Sequence, residues 1–213
     1  MGLYSSKELS NGAEIHIWEI TESEEELRKL CAPIPSDEIE ELLLLNSETR
    51  RKEKLAIRAL LKQIFETKVY LGHHDNGKPY IINSVVELSI THTSRFVAII
   101  THPNSDVGID MESVERNFSA VYKKALSEKE RKQIGSNNQD LKLAIIWCAK
   151  EAVYKRMSII GVDFASQILI HKFNPKNEGE IDAVFVHRNG KEEHLELRYE
   201  LIENHVMVWI VDN

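Results

Sequence analysis

Between residues 86 and 113 the chain runs through three successive β-like segments, VELSITHT, RFVAIITH and DVGIDMES. Each is rich in β-branched and apolar residues, and only short polar links separate them. Helical patterns flank this run on both sides. Upstream, roughly Ser47 to Thr67 places Ile57, Leu60, Leu61 and Ile64 on one stripe. Downstream, a helical block extends from about Phe118 to Met157, with Ser127 and Glu130 at capping-box spacing and a break at GSNNQD. Nearer the start, AEIHIWEI alternates like a half-buried strand. TESEEELRKL follows as a helix, with Thr21 and Glu24 at capping-box spacing and Pro33 and Pro35 closing it. NGKPY at 76–80 is a turn signal. The last third returns to strands at SQILIHKF, EIDAVFVH, EHLELRYEL and HVMVWIVD. The order strand, helices, strands, helices, strands predicts an α+β fold, with room for two similar halves meeting near residue 105.

Charge narrows the partners. The formal net charge is −7 over 213 residues, a poor match to nucleic acid or an anionic membrane, both of which favour a basic surface. Any phosphate must be met by a local basic patch. The two cysteines, Cys31 and Cys148, have neither the number nor the spacing of a disulfide framework or a zinc site. No stretch approaches the ~18 apolar residues of a membrane span, and the opening MGLYSSKELSNG lacks the apolar core of a signal peptide. These features predict a cytoplasmic protein.

Four stretches could carry chemistry. In GIDME, Asp110 and Glu112 stand two apart, on the same face of a strand. Like charges there repel unless a cation lies between them, and carboxylate oxygens suit a hard divalent ion such as Mg²⁺. Otherwise the strand has ended and both are solvated. In LKLAIIWCAKEAVYKRM, Glu151 and Lys155 share a helix face with Trp147 and Tyr154, and Lys150 adjoins them. This is either a surface ion pair or a third carboxylate for a metal, with lysines beside it for an anionic ligand. A carboxylate on so apolar a helix loses solvent, which raises its pKa and suits a general base. In SETRRKEKLAIRALLK, Arg51, Lys54, Arg58 and Lys62 form a basic flank able to hold phosphate. In LSITHTSRF, His92 sits between Thr91 and Thr93, and Lys78 in NGKPY could face an anion.

In this order the stretches resemble the 4′-phosphopantetheinyl transferases, and more closely their larger single-chain, surfactin-synthetase-activating class. The family's Gly-Ile-Asp-x-Glu strand is matched by GIDME at 108–112, and its aromatic-x-x-Lys-Glu-x-x-x-Lys helix by WCAKEAVYK at 147–155. Its Gly-Lys-Pro and Ser-His-Ser elements correspond to Gly77-Lys78-Pro79 and Thr91-His92-Thr93, and its basic helix to RRKEKLAIRALL. The match covers roughly residues 47–157. Thr replaces Ser on both sides of the histidine, and Cys148-Ala149 precedes Lys-Glu where a hydroxyl is usual.

The resemblance implies two similar halves related by a pseudo-twofold, each an antiparallel sheet packed on helices. Residues 1–105 would bind coenzyme A, and 106–213 would carry the metal motifs. It implies transfer of 4′-phosphopantetheine from coenzyme A to a serine of an apo acyl or peptidyl carrier protein by a cytoplasmic monomer. Asp110, Glu112 and Glu151 would hold Mg²⁺, with Glu151 also the base and Lys155 on the phosphates. Arg51, Arg58 and His92, with Thr91, would take the 3′-phosphate end, while Lys78 and Pro79 lie along the adenine and Lys150 joins the anion site. Two other readings use the same residues: a metal-dependent nuclease or phosphoesterase, and a non-catalytic carrier-binding protein of the same fold. Nuclease patterns commonly place Glu and Lys two apart, whereas Glu151 and Lys155 are four apart.

Overall fold

A computed structural model describes residues 2–66, 69–134 and 139–212. Its core is two antiparallel sheets. The first has strand order β1-β2-β6-β5, from Leu3–Glu8 (β1), Glu14–Glu19 (β2), Glu87–His92 (β5) and Phe96–His102 (β6). The second has order β7-β11-β10-β9-β8, from Val107–Ser113 (β7), Ile168–Ile170 (β8), Glu178–Val186 (β9), Glu192–Ile202 (β10) and His205–Val211 (β11). A small hairpin of Leu71–His73 (β3) and Pro79–Ile81 (β4) closes through the NGKP turn, where Gly77 takes φ +84°. The α+β expectation holds.

Strand alternation stacks the layers. In β6, Val97 and Ile99 face the helices Glu24–Cys31 (α1) and Glu48–Phe65 (α3), while Phe96, Ala98 and Ile100 face the other way. In β11, Met207 and Trp209 join that second cluster with Val107, Ile109 and Met111 of β7. Val206, Val208 and Ile210 instead pack on the helix Gln139–Met157 (α6). A residue thus chooses a core by its parity, and the order is helix, sheet, sheet, helix.

Ser127 caps Glu128–Gln133 (α5) in a full capping box with Glu130. The first such box is two residues later than expected: Ser23 and Glu26 close it, not Thr21 and Glu24. Both pairs fit the pattern, and it is Ser23, with an extended backbone, whose hydroxyl accepts from the Glu26 amide. β1, Ser36–Leu43 (α2), which follows Pro35, and the short Phe164–Gln167 (α7) carry no clear sequence signal. Ser119–Lys124 (α4) completes the helices. Thr67 and residues 135–138 of the expected GSNNQD break lie outside the described residues.

Where the sheets meet, two edge strands touch through side chains. The Ile109 and Met111 amides of β7 donate to the hydroxyls of Ser89 (3.2 Å) and Thr91 (3.1 Å) on β5. Exposed edge amides would otherwise go unpaired. On the opposite face of β7, Gly108 lets α6 come close: a Cβ there would lie 2.0 Å from the Ala152 carbonyl oxygen.

Candidate active site

Because Gly108, Asp110 and Glu112 alternate with the buried Ile109 and Met111, the two carboxylates face α6. Burial and charge follow from that placement. Asp110 is only 6% exposed. Its Oδ1 accepts from Lys155 Nζ at 2.8 Å and from Thr91 Oγ1 at 3.1 Å. Its Oδ2 is buried without a hydrogen-bond partner. Lys155 also donates to the carbonyls of Ile109 (2.9 Å) and Ile90 (3.2 Å), so one ammonium spans both edge strands. Glu112 accepts from Trp147 Nε1 at 3.2 Å and pairs with Arg116.

Glu151 lies one turn before Lys155, and its side chain makes no hydrogen bond to a described residue. Burial, then the Asp110 charge, raises its pKa to about 7, with Lys155 opposing. Glu112 is raised too, by burial first and by Asp110 second. The three carboxylates therefore feel one another. Among the described residues no trio of His, Cys, Asp or Glu is arranged to hold a metal ion by itself. The oxygen-only donors and the orphaned Asp110 Oδ2 nevertheless fit Mg²⁺, which typically takes one or two carboxylates and completes its shell with water and substrate phosphate.

Beside Lys155 opens a cavity of about 210 Å³, lined by Gly77, Lys78, Pro79, Ser89, Ile90, Tyr154 and Ser158, among others. The structure thus gathers Lys78, Pro79 and Lys155. Asn76 fixes the turn by donating to the Ser158 carbonyl and hydroxyl, both at 2.7 Å. Lys78 pairs with Asp106 (2.6 Å) and Glu87 (2.8 Å). Burial works against its charge, but these carboxylates outweigh it and raise its pKa.

Other expected residues lie elsewhere or are otherwise engaged. Lys150 is a correction: it is fully buried on the far side of α6, paired with Glu130 at 2.9 Å and donating to the carbonyls of Phe164 and Ile168. No anion reaches it. The Thr91 hydroxyl is also corrected: its contacts to Asp110 and the Met111 amide occupy it inside the protein. Arg51 is tied to Glu24 (2.8 Å) and the Leu45 carbonyl (2.6 Å), holding α3 against α1. Arg58 pairs with Glu38 of α2.

His92 does face the site, feeling the charges of Lys155 and Asp110. The arginine beside it is Arg50, which the sequence reading passed over. Arg116 was missed as well, since nothing marks a residue beyond a strand end as a partner for Glu112. Arg50 sits within the same basic run as Arg51, and only the helix's rotation on its sheet separates their roles.

No curated protein matches the chain. Residues 106–208 match the family model described as the 4′-phosphopantetheinyl transferase superfamily. That stretch holds Asp110, Glu112, Glu151 and Lys155 together, and it is over these residues that the chain is similar to the 4′-phosphopantetheinyl transferase superfamily.

Proposed function

We propose that the protein transfers 4′-phosphopantetheine from coenzyme A to a serine hydroxyl of an apo acyl or peptidyl carrier protein, releasing adenosine 3′,5′-bisphosphate. Residues 1–105 serve mainly to bind coenzyme A, and 106–213 carry the reacting groups, as in the larger single-chain class. The observation that carries this reading is Glu151, a half-buried carboxyl poised near neutral pH, one turn from a lysine already paired with Asp110.

A carboxyl with a pKa of about 7 can take up a proton near neutral pH. A positioned base of matched pKa contributes roughly 10²–10⁴-fold to a rate. Glu151 takes the serine proton, directly or through water, as the oxygen attacks the β-phosphorus. Lys155 holds charge developing on the leaving phosphate. Asp110 and Glu112, with Glu151, would hold Mg²⁺, which would offset the pyrophosphate charge at the attacked phosphorus. The cavity beside Lys155 takes the adenine end, with Lys78 and Pro79 along its wall. The two buried free thiols, Cys31 and Cys148, support a reducing, cytoplasmic setting.

The test is to incubate the protein with coenzyme A, Mg²⁺ and several apo carrier proteins, then weigh the carriers. One carrier should gain the phosphopantetheine mass. No gain on any carrier, from a protein that binds coenzyme A, would sink the reading.

A further inference from the structure

Glu53 is a carboxylate on α3 that the reaction does not use, and it is 5% exposed. A helix residue this buried is normally apolar, and an unpaired carboxylate there would be costly. A guanidinium and an imidazole share it. Arg50 Nη1 donates to Glu53 Oε2 at 2.8 Å, and the same oxygen lies 3.3 Å from His92 Nδ1. The other ring nitrogen of His92 has no hydrogen bond to a described residue, and the side chain is 35% exposed. Arg50 is itself open to solvent, with a side chain 62% exposed. A buried acid therefore gathers an imidazole and a guanidinium at the rim of the site that holds Lys155 and Asp110.

We infer that Glu53 is a positioning residue: it fixes the His92 ring by its Nδ1 edge and draws Arg50 beside it, so that the two together take a terminal phosphomonoester. This rests on the coenzyme A reading above and specifies how the 3′-phosphate is recognised. Arg51 and Arg58, with their acidic partners on α1 and α2, are not needed for it. Arginine supplies the planar fork suited to phosphate, and the imidazole, once protonated on both nitrogens, adds a second, directional donor. Held on a common carboxylate, both lose less freedom when the anion arrives.

Calorimetry should compare adenosine 3′,5′-bisphosphate with adenosine 5′-monophosphate, which lacks the 3′-phosphate. The wild-type chain should prefer the bisphosphate. Glu53→Ala should reduce that preference about tenfold, and Glu53→Gln, which keeps an acceptor, should retain part of it. Binding of the monophosphate should barely change. A wild-type chain that binds both equally, or a Glu53→Ala variant that weakens both alike, would overturn the inference. The long-range ¹H–¹⁵N spectrum of the wild-type imidazoles needs no variant to fold. A protonated His92 Nδ1 supports the contact, and a neutral ring with its proton only on Nε2 refutes it. If the chain discriminates the two nucleotides yet modifies no carrier, the transferase reading fails while the role of Glu53 stands.

Discussion

Lys150 and Lys155 stand five residues apart on one helix, and each makes three polar contacts, one of them to a carboxylate. The Lys150 pair is closed. Glu130 receives Lys150 and the Ile170 amide on one oxygen and the Ser127 amide on the other, and both side chains are at most 2% exposed. The Lys155 pair is open: one Asp110 oxygen is unpaired, and the lysine is 27% exposed beside a cavity. Burial lowers the Lys150 pKa, and Glu130 first, with Asp163 behind it, pulls the other way. A completed ion pair cements a fold, while an incomplete one leaves capacity for a ligand.

That contrast can be broken at both ends. The largest effect belongs to the open site. Asp110→Ala and Glu151→Ala should each lower carrier modification by about 10²–10⁴-fold or more. The chain should stay folded, since Lys155 keeps two carbonyl acceptors and partial exposure. Wild-type rates in either variant would refute the assignment of the carboxylates.

The closed pair should respond in stability instead. Lys150→Met strands Glu130 in the core and should cost about 3–5 kcal/mol in urea unfolding. Adding Glu130→Leu should recover much of that loss. A Lys150→Met chain that unfolds like wild type would show the pair to be dispensable.

The smallest effect sharpens the open side by pH. Folded Glu151 keeps its proton up to about pH 7, whereas the unfolded chain releases it near ~4.3. Between those values the folded state binds more protons, so this group's contribution to stability falls as pH rises and is lost above about pH 7. Glu151→Gln should therefore match wild type at pH 4 and exceed it by about 1–3 kcal/mol at pH 8. An equal difference at both pH values would mean that burial does not hold the proton.

Much of this was readable beforehand because it rests on local signals. The GIDME strand, its paired carboxylates and the Ser127 capping box depend on neighbours within a few residues. Residues whose role depends on rotation or on distant partners were not readable. α6 is apolar on nearly every side, with Ala144, Ile145, Ile146, Cys148, Ala149, Ala152 and Val153 all buried, so no polar face marks where Lys150 points. Arg51 and Arg58 look like phosphate ligands until Glu24 and Glu38 arrive from separate helices. Arg50 and Glu53 look like an ordinary i, i+3 surface pair until β5 brings His92 beneath them.

The missing side chain of Gly108 sets a gauge for the reacting groups. Strand backbone touches helix backbone at Ala152, one residue after Glu151 and three before Lys155. A methyl there would lift that stretch of helix as a unit, moving base and ammonium together and keeping their mutual spacing. Only their reach to Asp110 would change. The close approach at Gly108 thus sets the height of this stretch of α6 over β7, and an error in it would mistune both groups in the same direction.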